Sequence, residues 1–310
     1  MNIIKRLSLI VFATLTFVCL CNKSFNQTNR HKTDISAFVN EKESAEYLDA
    51  FDWDVNDFPM PMYEVNYYDD DYNVTSVRLR HLFDNENQRE YFTSRASKYK
   101  TMVLADKIMK IAYKGYHKGP EMGNLIGGMY EDLMSGLDYD CEGEWSSGFA
   151  FTDNFMKTHD VVYVTEDLSE APKSVVDSLQ ARYGLVVENI RKCAVSQNGK
   201  LVVCSGQMMP KDGKCLGMRV LKIEDKLLVF EDWAAWEDEY SVWNVDDEGE
   251  YISIYVLAVT RSDKGYDIFY CKGAPESLRH GVLMVRGDKI IDFTFSNFYN
   301  YIDYQPSTEE

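Results

Sequence analysis

Residues 193–204 read CAVSQNGKLVVC, and residues 258–271 read AVTRSDKGYDIFYC. In both stretches a short apolar run leads to a polar turn that contains glycine, and a second apolar run follows. Short runs of this kind, separated by turn residues, are typical of antiparallel strands. Each stretch then continues to a further glycine and to an Asp-Lys pair, at 225–226 and at 288–289. The order is the same twice, so the sequence predicts two related β units.

The first of these stretches also predicts a register. Asn198-Gly199 favours a two-residue hairpin turn, because both of its central positions need a positive φ. Residues whose numbers sum to 397 then face each other, and Cys193 and Cys204 form such a pair. Their Cα atoms would lie about 5.5 Å apart, which a disulfide can bridge. Two alternatives stay open: both thiols are buried, or Cys204 bridges to Cys215.

The composition limits the class of protein. The chain has 310 residues, of which 45% are hydrophobic, and its net charge is -17. This apolar content is enough for sizeable cores, and the length allows one large domain or two ordinary ones. Because phosphate contacts need clustered Lys and Arg, the negative charge argues against a nucleic-acid-binding protein.

Residues 1–21 predict a signal peptide. A positively charged start precedes the apolar run LSLIVFATLTFVCLC (7–21), which is short for a membrane span and suits secretion. Neither cysteine in this run follows a small residue, so ordinary cleavage and lipid anchoring both stay open. The polar residues 22–35 predict a flexible tether. We therefore expect an exported protein, periplasmic or anchored in the outer membrane if the source is bacterial.

The rest of the chain predicts an α+β fold in two parts. Residues 36–137 read as a helix-rich N-terminal domain, because apolar residues recur every three or four positions between 86 and 118. The stretch 62–82 alternates and predicts a β-hairpin within this domain. The acidic, glycine-bearing stretch 138–154 predicts the boundary. Residues 145–304 then read as an antiparallel β-rich domain that contains the two related units.

Two further helices are predicted. One spans 121–137 in the N-terminal part. The other spans 171–183 in the β-rich part, where Pro172 lies near its start and Gly184 follows its end, the positions that these residues prefer.

The stretch 89–118 is basic within an acidic chain, with eight Lys or Arg against two Asp or Glu. As an amphipathic helix it would present Lys107, Lys110 and Lys114 to an anionic membrane surface or to an acidic partner. The alternative is a charged helix face that is only solvated.

Aromatic residues are concentrated in residues 231–243. Trp233, Trp236, Tyr240 and Trp243 recur at intervals of three, four and three, which predicts an aromatic stripe on one side of a helix. An exposed stripe would be a stacking platform for a sugar or for a protein partner. The alternative is a linker that packs these rings against the sheet.

The sequence supplies no metal or cofactor motif. Asp138, Asp140 and Glu142 have the spacing of the first half of a calcium loop, but Phe149 stands where the closing glutamate should be. The five histidines are scattered singly, without zinc-type spacing. We therefore predict neither a metal nor a cofactor.

These observations favour a non-enzymatic protein of the cell envelope. It would bind an unknown macromolecule, protein or glycan, and it would not bind nucleic acid. The alternative is an extracytoplasmic hydrolase that uses paired carboxylates. That enzyme would have a deep cleft with two acids, at least one of them with a perturbed pKa.

Overall fold

A computed structural model describes residues 47, 49–68, 74–82, 86–117, 136–143, 147–236, 251, 253–274 and 277–298. The predicted signal peptide, the tether and most of the helix predicted over 121–137 lie outside these residues. The chain forms two compact units. The first comprises Met1–Met102 and Met109–His159, and the second comprises Val103–Ile108 and Asp160–Glu310.

The first unit is built on a closed six-stranded barrel with the strand order β1-β2-β5-β4-β3-β6. Two short helices accompany the barrel, one before β3 and one directly after β6. The strands are β1 (Met60–Tyr68), β2 (Val74–Leu82), β3 (Tyr99–Leu104), β4 (Lys107–His117), β5 (Gly136–Cys141) and β6 (Gly148–Thr152), and the helices are α1 (Glu86–Thr93) and α2 (Asp153–Thr158).

The prediction of a mainly helical N-terminal part is therefore wrong. Between residues 86 and 117 only α1 is an α-helix, and the residues after it form the hairpin β3–β4. Along β4, Met109 and Ile111 are buried while Lys110 and Ala112 are exposed, which is the period of two of a strand. The helical spacing was a coincidence, because it joined residues on both sides of the turn between two strands.

The other N-terminal predictions had mixed outcomes. The hairpin predicted over 62–82 is confirmed, since β1 and β2 pair antiparallel with Tyr63 opposite Arg80. The acidic stretch 138–154, where we expected the boundary, contributes β5 and β6 to the barrel. Asp138 pairs with Arg80 on the neighbouring strand β2 at 2.6 Å. This acidic residue therefore pairs with an arginine inside the barrel and does not mark a boundary.

The second unit contains two five-stranded antiparallel sheets, in the orders β12-β11-β10-β9-β8 and β16-β15-β14-β13-β7. Each of the two repeated stretches forms a four-stranded meander, β9 to β12 and β13 to β16. Short strands β8 and β7 extend the two sheets at one edge. The elements are β7 (Asp160–Val161), β8 (Val164–Glu166), α3 (Lys173–Tyr183), β9 (Val187–Ser196), β10 (Leu201–Met208), β11 (Lys214–Ile223), β12 (Lys226–Ala235), β13 (Ile254–Ser262), β14 (Gly265–Ala274), β15 (Ser277–Arg286) and β16 (Lys289–Phe298).

The two meanders pack face to face. Leu201, Val203 and Leu221 of the first sheet share a buried cluster with Ile268 and Leu283 of the second. We call the faces that meet in this cluster the inner faces. Each fully buried side chain of this size contributes roughly 1.5–3 kcal/mol to the stability, so this contact holds the unit together.

Helix α3 covers the opposite, outer face of the first sheet. Val175 and Leu179 of the helix pack against Cys204, Met218 and Val220 of the strands. The helix predicted over 171–183 is confirmed. Its N-cap is Pro172, and its C-cap is Gly184 with φ 64°.

The predicted register of the first hairpin holds only near the turn. Val202 pairs with Val195 as predicted, but the pairing then shifts at a β-bulge, and Cys204 faces Lys192. The shift places Cys193 in the cluster between the sheets and Cys204 in the cluster under α3, as expected when register slips by one residue. Of the alternatives left open by the sequence, two buried thiols is the one that the structure shows, and Cys204 bridges neither to Cys193 nor to Cys215. The five cysteines in the described residues are all free: Cys141, Cys193, Cys204, Cys215 and Cys271.

The loop of this hairpin also differs from the prediction. The Gly199 N–H donates to the Ser196 carbonyl at 2.8 Å, so residues 197–200 all belong to the loop. Gly199 has φ 69°, whereas Asn198 is outside the positive-φ region. The Asn198 side chain instead accepts from the Lys200 N–H at 3.0 Å. Asn198-Gly199 correctly predicted the position of the turn, but the loop has four residues instead of two.

The strands β9 and β10 approach each other so closely at one position that only glycine fits there. This position provides a test of the packing. Gly206 has φ 155°, and an added Cβ would lie 1.8 Å from the Asn189 carbonyl oxygen. We expect Gly206→Ala to lower the free energy of unfolding by about 2–3 kcal/mol, because the ladder must shift. Urea unfolding measures this loss.

The matched control is Gly273→Ala, since nothing lies within 4 Å of a Cβ at that position. This variant should change the stability by less than about 0.5 kcal/mol. Equal losses in the two variants would contradict the packing described here.

Candidate functional site

Strand β12 carries an exposed tryptophan on the outer face of the first sheet. Leu228 of this strand points into the cluster between the sheets, while Leu227 and Val229 pack on the side of α3. Alternation then directs Glu231 and Trp233 to the outer face as well. Trp233 is 49% exposed, although it lies opposite Leu216, which is fully buried. Among the described strands the order ends at β12, so Trp233 lies at the edge of the sheet as described.

A hydrogen-bond network fixes the orientation of this indole. Trp233 Nε1 donates to Glu231 Oε2 at 3.0 Å. The other oxygen, Glu231 Oε1, accepts from the Tyr183 hydroxyl at 2.7 Å and from Arg182 at 3.3 Å. Both of these residues belong to the last turn of α3. The hydrogen bond from Tyr183 lowers the pKa of Glu231, so the carboxylate stays ionised and keeps its three donors.

A shallow cavity of about 540 Å³ lies beside the indole, lined by Trp233, Gly213, Lys214, Ala234 and Ala235. Gly213 and Ala235 carry almost no side chain, which leaves space next to the ring. Its volume is within the usual range for small-ligand sites. We define the Trp233 surface as this cavity together with the residues that hold the indole. Its members are Arg182, Tyr183, Gly213, Lys214, Glu231, Trp233, Ala234 and Ala235.

The aromatic stripe was predicted in the wrong secondary structure. Residues up to Ala235 are strand, so the spacing of three between Trp233 and Trp236 does not place them on one helix face. Trp236 is partly buried, and its backbone N–H donates to the Gly213 carbonyl at 3.0 Å. Tyr240 and Trp243 lie outside the described residues. Trp233 is thus the member of the stripe that the structure exposes.

The basic helix is not present either. Lys107, Lys110 and Lys114 all lie on β4 and are exposed. Lys114 forms an ion pair with Asp140 of β5, and exposed pairs of this kind contribute little to stability. The predicted membrane contact depended on an amphipathic helix, so the structure removes its basis.

The candidate calcium segment is part of a strand. Asp138 and Asp140 both lie on β5, and each pairs with a cation of a neighbouring strand, Arg80 and Lys114. Their regular spacing reflects the alternation of the strand.

A buried ionic cluster lies between the two sheets, and sequence analysis missed it. Arg219 of β11 forms an ion pair with Asp292 of β16. Tyr270 of β14 donates its hydroxyl to the second oxygen of Asp292 at 2.6 Å. The guanidinium also lies over the rings of Phe230 and Tyr270, 5.3 and 5.0 Å from their centroids. Burial raises the pKa of Tyr270 well above its usual value, so this hydroxyl keeps its proton.

A buried lysine extends this cluster. The ammonium of Lys272 lies 4.7 Å from the centre of the Tyr251 ring, and that ring packs directly on Gly217, where a Cβ would collide with it. Burial, followed by the positive charge of Arg219, lowers the pKa of Lys272 to about 8, while Asp232 and Asp292 act in the opposite direction. The lysine is held in the interior at an energetic cost.

The Asp292 carboxylate of the cluster already has two partners. Asp292 is engaged by a cation and a hydroxyl, and the cavity lining named above contains no carboxylate. Cys204, beside this region of the sheet, is not activated, because burial raises the pKa of its thiol to about 12. Within the described residues, the Trp233 surface combines exposure, a fixed aromatic ring and space for a ligand.

No protein-family model, curated protein or solved structure matches this chain. Within the described part of the chain, no helix has both the length and the apolarity needed to cross a membrane.

Lys272 gives a prediction about pH. An unfolded lysine, with a pKa of 10.5, keeps its proton at pH values where folded Lys272, with a pKa of about 8, has lost it. Between these values the unfolded state binds more protons, so raising the pH stabilises the folded state. The Lys272→Met variant lacks this term. Its stability advantage over the wild type should therefore be largest below pH 8 and shrink by roughly 2–3 kcal/mol as the pH rises towards 10.5.

Urea unfolding of both proteins at about pH 7 and about pH 10 measures this change. Comparing the two proteins cancels the titration of the buried thiols, whose raised pKa values act in the opposite direction. Lys173→Met, at an exposed position of α3, controls for the loss of a lysine. An advantage of Lys272→Met that does not vary with pH would show that Lys272 carries its charge without cost.

Proposed function

We propose that this chain is an exported protein of the cell envelope that binds a macromolecule through the Trp233 surface. The observation that carries this proposal is an indole that is half exposed yet held in one orientation by Glu231. A large exposed aromatic residue is costly to leave in water, and such residues dominate binding energy when a partner covers them. Fixing the ring beforehand reduces the entropy lost on binding.

The position of Trp233 supports binding rather than a role in stability. Its neighbours Leu216 and Met218 on β11 are fully buried under α3, whereas Trp233 extends past the edge of this cover. The Glu231 carboxylate is satisfied by α3 whether or not a ligand is present. The site is therefore ready before a ligand arrives.

Export remains a proposal that rests on the sequence of residues 1–21. A hydrolase is the less favoured alternative, because the described residues that line the cavity beside Trp233 include no acidic side chain.

The test uses the chain from residue 22 onwards and insoluble envelope fragments from the source organism. We expect the protein to sediment with the fragments, and Trp233→Ala to weaken this binding at least ten-fold, as is usual for a hot-spot tryptophan. Sedimentation across a range of fragment concentrations measures both affinities.

Tyr255→Ala is the matched control. Tyr255 is a similarly exposed aromatic residue, 51% exposed, but it lies on β13 of the other sheet. This variant should bind as the wild type does. The proposal fails if the wild type does not sediment, or if Trp233→Ala binds with unchanged affinity.

A further inference from the structure

We propose that the ligand of the Trp233 surface is an uncharged glycan, one of whose sugar rings stacks on the Trp233 indole. This inference rests on the binding function proposed above and names its ligand class.

The indole offers its face and not its polar edge. Its only hydrogen-bond donor, Nε1, is already engaged by Glu231. A ligand at this position therefore gains nothing from an acceptor group and must present an apolar surface to the ring. A pyranose ring meets this requirement, because the C–H groups on one side of the sugar form a flat apolar face while its hydroxyls project around the rim.

The surroundings of the ring suit that hydroxyl rim. Lys214, an exposed residue, belongs to the cavity lining. Arg182 donates one N–H to Glu231, and its guanidinium has further N–H groups, whereas the Tyr183 hydroxyl gives its proton to Glu231 and can only accept from a ligand. Lys214 is opposite Ala235 in the ladder, two residues along each strand from the pair of Leu216 with Trp233. Donors thus lie next to the ring, while Gly213 and Ala235 leave room for a ligand to approach its face.

The same lining is a poor match for a protein partner. Protein interfaces are centred on several apolar and aromatic side chains that are buried together. Among the described residues of the cavity lining, one aromatic ring is accompanied by one lysine and by residues with little or no side chain. An isolated ring with small neighbours and polar groups at its rim is what a sugar requires.

The charge of the chain selects among glycans. With a net charge of -17, the protein repels a polyanionic polysaccharide at long range. An uncharged glycan has no such penalty, and its binding should depend little on salt.

The experiment treats the envelope fragments in two ways before sedimentation. One portion is digested with a protease, and the other is oxidised with periodate, which cleaves the vicinal diols of sugars. We expect full binding to the protease-treated portion. Binding to the periodate-treated portion should be at least about ten-fold weaker, comparable to the loss of a hot-spot residue.

The other outcomes distinguish failure of the glycan inference from failure of the proposed binding function. If Trp233-dependent binding is lost after proteolysis and survives periodate, the partner is a protein. The glycan inference is then overturned, while the proposed binding function stands. Binding that survives both treatments also overturns it. If no binding depends on Trp233, both proposals fail.

Two substitutions at the same position test stacking itself. Trp233→Phe keeps an aromatic face and loses the bond to Glu231, so it should bind within about five-fold of the wild type. Trp233→Leu keeps apolar volume without a π face and should lose at least about ten-fold, since ring stacking contributes beyond buried area. Equal affinities for the two variants would overturn the inference. Because Trp233 is half exposed at a sheet edge, both variants should unfold at similar urea concentrations, which is checked alongside.

Discussion

The contact between the inner faces of the two meanders is the interaction on which the second unit depends. It buries Leu201, Val203 and Leu221 against Ile268 and Leu283. Because a strand alternates, a residue that points into this contact decides the direction of each of its neighbours. Leu228 points inward, and Glu231 and Trp233 therefore point outward. The exposed indole is a consequence of the core, and no local feature of residues 231–235 would place it there.

The ionic cluster inside this contact has a desolvation cost. Arg219 and Asp292 are withdrawn from water, and such pairs seldom stabilise a protein relative to an apolar pair of the same volume. Here the guanidinium also lies against two aromatic rings, and the carboxylate has a hydroxyl donor. These contacts satisfy the pair and fix how the first meander is aligned with the second. An apolar core alone tolerates sliding, whereas a charged pair has one favourable position.

Signals between residues close in the sequence predicted the structure correctly, whereas features that depend on distant residues were missed. Local signals worked: Pro172 and Gly184 bounded α3, and the doubled order of runs and turns marked two meanders. Spacing failed where it crossed a turn, as between β3 and β4, or where a ladder to β11 made Trp233 part of a strand. The Arg219–Asp292 pair joins residues 73 positions apart, and no pattern in a single sequence relates such residues. The bulge that separates Cys193 from Cys204 was equally invisible, because packing decides it.

The turn between β3 and β4 has a consequence for how the chain can be divided. Residues Val103–Ile108 belong to the second unit, where the Ala105 N–H donates to the Leu257 carbonyl and its own carbonyl accepts from the Val164 N–H. The chain therefore passes from one unit to the other three times, after residues 102, 108 and 159. A fragment that begins at Asp160 would lack residues 103–108, which belong to the second unit. A fragment that ends at His159 would contain these residues without Leu257 and Val164, to which Ala105 is hydrogen-bonded. No single peptide bond separates the two units.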